Sequence, residues 1–150
     1  MAQATHSVNL ALSNDIAWNF LKDYQNWAPL IPGYIAHEVQ NDSKFTWIFV
    51  ADLGFTKKTM KLEVNIAELI EPSDVKFSLK GPSENLDGNG YFNISSSDNE
   101  NVQITGSLDL SAGGIMGMMI NSVLETFLPK ATTDLINSIE EKLTQLHQVK

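Results

Sequence analysis

From Leu53 onward the chain sets large apolar residues at alternate positions in one segment after another, and at Gly113-Gly114 the spacing changes to three- and four-residue steps. Period two gives strands that are apolar on one face, and a period near 3.6 gives a helix with one apolar stripe. The two kinds of face bury best against each other, so this order predicts an antiparallel sheet closed over a C-terminal helix. A curved sheet wrapped round one helix leaves room for an apolar hollow between them, which is where a function is sought first.

The helical stripe is long. Met116, Ile120, Leu124, Phe127, Ala131, Leu135, Ile139, Leu143 and Leu146 recur at helical spacing, while Glu125, Lys130, Asp134, Glu140 and Lys142 fall mostly elsewhere. Pro129 removes one backbone hydrogen bond inside it and predicts a kink, at a typical cost of ~3 kcal/mol. Ahead of the sheet, Val8, Leu10 and Leu12 alternate over 6–12. Ser13 or Asn14 then caps a helix carrying Ala17, Leu21 and Tyr24, which should end before Pro29. Ile31-Pro32-Gly33 marks a bend. Further strands are expected over 35–39, 45–53, 57–70, 75–79, 86–96 and 101–110, about seven in all with the first. Their short connections favour antiparallel meander pairing.

Composition removes several function classes. At 150 residues the chain suits one domain, taken as 1–150, that buries a core without cross-links. It has no Cys, which excludes thiolate chemistry and Cys-based metal centres. Ten lysines, no arginine and a formal charge of −8 disfavour nucleic acid as a partner. Lys57, Lys58 and Lys61 read as a solvated strand start. No window is apolar enough to span a bilayer and residues 1–12 lack a secretory pattern, so a cytoplasmic protein without stable membrane insertion is expected.

Catalytic chemistry finds little support. Gly113-Gly114-Ile115-Met116-Gly117 lacks the Lys-Ser/Thr ending of a phosphate loop and reads as a strand-to-helix turn. His6 and His37 fall on the apolar side of their strands, and His147 lies in the tail. No His, Asp or Glu grouping has metal-ligand spacing, so neither metal nor cofactor is expected. Asp23 and Asp52 sit at element ends. Glu68 is in register with the inward Ile66 and Ile70, and a strand end or bulge is the simpler account of it. Glycines at 81, 88, 90 and 106 are expected to remove side chains from the sheet and widen the hollow.

Trp18-Asn19-Phe20-Leu21-Lys22-Asp23 followed by Trp27-Ala28-Pro29-Leu30-Ile31-Pro32-Gly33 resembles the Trp-x-x-Leu-x-Asp and Pro-Gly segment of the START-like (SRPBCC) superfamily. Asp52-Leu53-Gly54 and Leu86-Asp87-Gly88-Asn89-Gly90 resemble its CoxG-like branch, named for the CoxG subunit of carbon monoxide dehydrogenase. The resemblance implies an α+β helix-grip (START/Bet v 1-like) fold, with a seven-stranded antiparallel sheet round a long C-terminal helix. It also implies an apolar cavity for a lipid, a quinone or a similar hydrophobic ligand. Relatives in that branch are linked to maturation or membrane recruitment of a molybdenum hydroxylase, which implies a possible oxidoreductase partner. Some carry an apolar C-terminal extension, whereas Gln145-Leu146-His147-Gln148 is polar.

The expected function is therefore non-enzymatic binding of a hydrophobic small molecule. Its expected lining is Trp47, Phe49, Leu62, Phe77 and Phe92 from the sheet, with Met116, Met119, Ile120, Val123 and Phe127 from the helix. Two rivals stand beside it. One is an enzyme of the polyketide cyclase/dehydratase type, with His37, Tyr91 or Glu68 as acid or base, and the other is a docking or maturation module for a larger oxidoreductase.

Overall fold

A computed structural model of the chain describes residues 2–82 and 85–147. Strand β1 (Ala2–Leu10) is followed by helices α1 (Asn14–Leu21) and α2 (Tyr24–Trp27) and a 3-10 turn at Ala28–Leu30. Six strands come next: β2 (Tyr34–Asn41), β3 (Lys44–Asp52), β4 (Lys57–Ile70), β5 (Asp74–Gly81), β6 (Leu86–Ser96) and β7 (Val102–Ala112). Helix α3 (Gly117–Leu146) ends the described chain. All pairings are antiparallel. The sheet order β1-β7-β6-β5-β4-β3-β2 makes β2 to β7 a meander that β1 completes by pairing with β7. Helix α3 lies against β1 and β7, and α1 packs near β6. This is the helix-grip α+β architecture.

Alternation sets the faces of β3, β5 and the first part of β4 as expected, whereas Ile35 and Val39 on β2 and Ile70 at the end of β4, expected to face inward, are exposed beside register shifts. Phe45, Trp47, Phe49 and Ala51 on β3 are buried, as are Met60, Leu62 and Val64 on β4 and Val75, Phe77 and Leu79 on β5. Glu68 is exposed where the β4–β5 register shifts between Ile66 and Glu68, so a bulge keeps its carboxylate out of the core.

Two local expectations need correction. The first strand starts at Ala2 rather than residue 6, because β7 offers an unbroken ladder from Ala2↔Leu110 to Leu10↔Val102. The first helix ends before Pro29 as expected but already at Leu21, and Tyr24, expected on it, opens a separate short helix. Asp23 Oδ1 accepts the Gln25 N–H at 3.0 Å and starts α2, while Asn26 Nδ2 and Trp27 Nε1 donate to the Phe20 and Leu21 carbonyls at 3.0 Å each. Those side chains take up carbonyls that α1 leaves free at its C-terminal end, so it can stop there.

The glycines do not widen a hollow. A Cβ at Gly90 would meet the Phe77 ring, one at Gly106 would meet Ile136, and one at Gly88 would meet the Asp109 backbone. The missing side chains let neighbouring groups approach the sheet closely, and the freed space is filled.

Candidate ligand cleft

Trp27 occupies the centre of the grip. Its ring centroid lies 4.9 Å from Phe92, 5.3 Å from Phe77, 5.6 Å from Trp47 and 5.8 Å from Phe45. Its indole N–H donates to the Leu21 carbonyl, and the Trp47 indole donates to the Ala28 carbonyl at 2.7 Å. Both ring nitrogens are thus satisfied inside an apolar cluster. Of the expected lining, Trp47, Leu62, Phe77 and Phe92 are fully buried, and the three aromatics pack on Trp27.

The open volume lies to one side of this cluster. A cleft of about 860 Å³ separates the β2–β3 edge of the sheet from the middle of α3. Pro32, Tyr34, Ile35 and Leu53 line its sheet side, and Thr126, Phe127 and Ala131 its helix side. Phe127 stacks on Phe49 with centroids 6.4 Å apart and planes 5° apart, which joins helix to sheet beside the cleft.

Backbone geometry fixes the sheet side. Gly33 has φ +77°, and a Cβ there would run into the Val50 carbonyl oxygen; the Val50 N–H donates to the Gly33 carbonyl at 2.8 Å. Only glycine suits both the left-handed backbone and that approach. Asp52 Oδ1 accepts the Gly54 N–H at 3.0 Å and shapes the opposite turn. The Pro-Gly and Asp-Leu-Gly motifs of the sequence therefore form two neighbouring walls of one cleft.

Charges at the rim balance. Lys57 and Lys130 stand against Asp52 and Asp134. Lys130 Nζ donates to Asp134 Oδ2 at 2.7 Å. That hydrogen bond, together with the charges of Asp134 and Asp52, holds the Lys130 ammonium above its ordinary pKa.

A polar pair stands next to the cleft. The Tyr34 hydroxyl lies 2.9 Å from His37 Nδ1. A register shift between Tyr34 and Ala36 brings it about: Tyr34 pairs with Phe49 and His37 with Trp47, so residues three apart share the inner face. His6 also turns inward, with Nε2 3.1 Å from Asn137 Oδ1 on α3. His147 is exposed. Among the described residues, no group of three or more His, Asp or Glu could hold a metal ion.

The helix contribution differs from the expectation. Phe127 reaches the cleft, Ile120 and Val123 are half-buried, and Met116 and Met119 are 52% and 61% exposed rather than facing the sheet aromatics. The buried stripe of α3 begins in earnest at Leu124 and runs through Leu128, Ala131, Leu135, Ile136, Ile139 and Leu143. A depression of about 750 Å³ at the other end of the sheet is lined mainly by Ser, Asn and Gln and contains no aromatic or charged side chain. The aromatic-lined cleft is the better candidate for a ligand site.

The profile of the family named for the CoxG subunit of carbon monoxide dehydrogenase matches residues 7–144. The chain belongs to the CoxG family. No curated protein matches the sequence. Among solved structures the CoxG-family chain is similar to a conserved protein from Geobacillus kaustophilus, at 16% identity, 97% coverage of each chain and a TM-score of 0.73. A START superfamily protein from Mycobacterium smegmatis is 17% identical, with 97% of this chain and 99% of that one covered and a TM-score of 0.65. The Zhui aromatase/cyclase of a Streptomyces species is 14% identical over 97% of this chain and 96% of its own, with a TM-score of 0.69. These likenesses establish the START-like fold of the chain. No described helix is long and apolar enough to cross a membrane.

Proposed function

We propose that this CoxG-family protein binds a hydrophobic small molecule in the cleft between the β2–β3 edge and α3. The cleft itself carries the reading: about 860 Å³, walled by Tyr34, Ile35, Leu53 and Phe127, with a rim of two lysines and two aspartates. That volume suits a ligand of lipid, quinone or similar size. The balanced rim favours a neutral ligand over an anion, since each lysine stands beside a carboxylate. Of the expected lining, Phe127 faces this cleft and Phe49 stacks on Phe127.

Thr126 is exposed and lines the cleft, so Thr126→Trp fills it from the side without disturbing buried packing. Titration with N-phenylnaphthylamine, a neutral apolar fluorophore, tests the reading. The wild type should bind and enhance emission, and Thr126→Trp should lose binding roughly tenfold or more at unchanged stability. Absence of wild-type binding sinks the proposal, as does equal binding by the variant.

A cyclase-type enzyme is the second reading, favoured by the Tyr34–His37 pair. A phenol bonded to an imidazole beside an apolar cleft has the parts of an acid–base couple. The family description also keeps docking to a larger oxidoreductase in play, and a carrier with this cleft is compatible with it.

A further inference from the structure

The charges around the cleft are engaged with the protein itself. Asp134 accepts a hydrogen bond from Lys130, and Asp52 accepts the Gly54 N–H and pairs across the ladder with Lys57. Among the described residues, the uncharged polar side chains on the walls are Tyr34 from the sheet and Thr126 from the helix. Thr126 is exposed, whereas Tyr34 is half-buried and held in place.

What holds it is His37, whose Nδ1 lies 2.9 Å from the Tyr34 hydroxyl. The imidazole is fixed in turn by edge contacts with Tyr24, at 6.3 Å and 85°, and with Phe45, at 5.9 Å and 82°. Tyr24 does not compete for the ring nitrogen, because its own hydroxyl donates to the Asn41 carbonyl at 2.7 Å. Tyr34 lines the cleft and His37 does not, so the imidazole backs the phenol from the side away from the open volume.

The direction of this hydrogen bond decides what Tyr34 offers. A neutral imidazole nitrogen accepts far better than a phenol oxygen, so the hydroxyl proton points to Nδ1 and Nε2 carries the ring proton. The one proton of the phenol is then committed. What remains for a ligand is a lone pair on the oxygen, an acceptor in need of a donor. An apolar molecule with a hydroxyl supplies that donor, whereas one whose polar group is a carbonyl sets two acceptors against each other and leaves both unsatisfied.

We propose that Tyr34, aimed by His37, selects an apolar alcohol or phenol over a ketone of similar size. The proposal rests on ligand binding in the cleft and deepens it: Tyr34 touches the ligand, and His37 is a positioning residue. Displacement of N-phenylnaphthylamine by naphthol and by acetonaphthone tests it, since the first carries a hydroxyl on the naphthalene ring and the second a carbonyl. The wild type should release the fluorophore at a roughly tenfold lower concentration of naphthol. Tyr34→Phe removes one oxygen and should bring the two ligands level by weakening naphthol. His37→Leu frees the Tyr34 proton for donation and should shift the preference toward acetonaphthone, which a merely structural role of His37 would not do. Equal displacement by both ligands in the wild type overturns the proposal, as does an unchanged preference in either folded variant. The wild-type comparison decides even where a variant folds poorly. These results leave the cleft standing, whereas a wild type that fails to bind the fluorophore removes the cleft reading and the proposal with it.

Discussion

Trp27 is the residue on which the packing of the grip converges. It is fully buried and touches aromatics from β3, β5 and β6 at once. Trp27→Ala should therefore cost about 3–5 kcal/mol in urea unfolding, the usual range for a large aromatic removed from a packed core. A loss under ~1 kcal/mol would show that the cluster is loosely packed. Thr132 presents the opposite case. Its Oγ1 is buried on α3 without a hydrogen-bond partner among the described residues. Exchanging the hydroxyl for a methyl removes an unsatisfied group, so Thr132→Val should leave stability unchanged or raise it by up to about 1–3 kcal/mol. A clear loss in the same unfolding assay would reveal a partner for the hydroxyl. Neither role was legible beforehand. Trp27 sits in a turn segment without periodicity, and Thr132 falls between stripe positions whose facing neighbours depend on the sheet order.

Helix α3 divides into two unequal halves. Leu135, Ile136, Ile139 and Leu143 are essentially inaccessible, whereas residues 118 and 119 are exposed and Gly113, Gly114 and Gly117 precede or open the helix. Pro129 removes a backbone donor between the halves. Amide exchange should accordingly be faster over 117–127 than over 131–146, and equal protection on both sides of Pro129 would remove the case for a mobile first half. Periodicity made the helix, the sheet faces and the turn at Gly113-Gly114 readable in advance. It could not show how far the sheet extends beneath the helix, which is why the stripe alone placed Met116 and Met119 against the aromatics. The bulge that aligns Tyr34 with His37 was equally hidden, because Ile35 breaks no pattern by its residue type.

Across the whole molecule, the core and the cleft are separate places. Most of the sheet aromatics close on Trp27, and the open volume is displaced to the β2–β3 edge, where two turns meet the middle of α3. Two of the motifs that carried the family resemblance, Pro32-Gly33 and Asp52-Leu53-Gly54, form the sheet side of that cleft, so the candidate site is marked in the loops more than in the aromatic stripe. Loops take their position from the assembled scaffold, and a face pattern alone does not locate them. The central claim is that this cleft holds an apolar ligand. Native mass spectrometry of wild type and Thr126→Trp, both purified from the protein's own cells, measures it directly. The wild type should carry an adduct whose mass is that of an apolar compound, and the variant should appear as the bare chain. A bare wild type, or the same adduct on both proteins, would contradict the account.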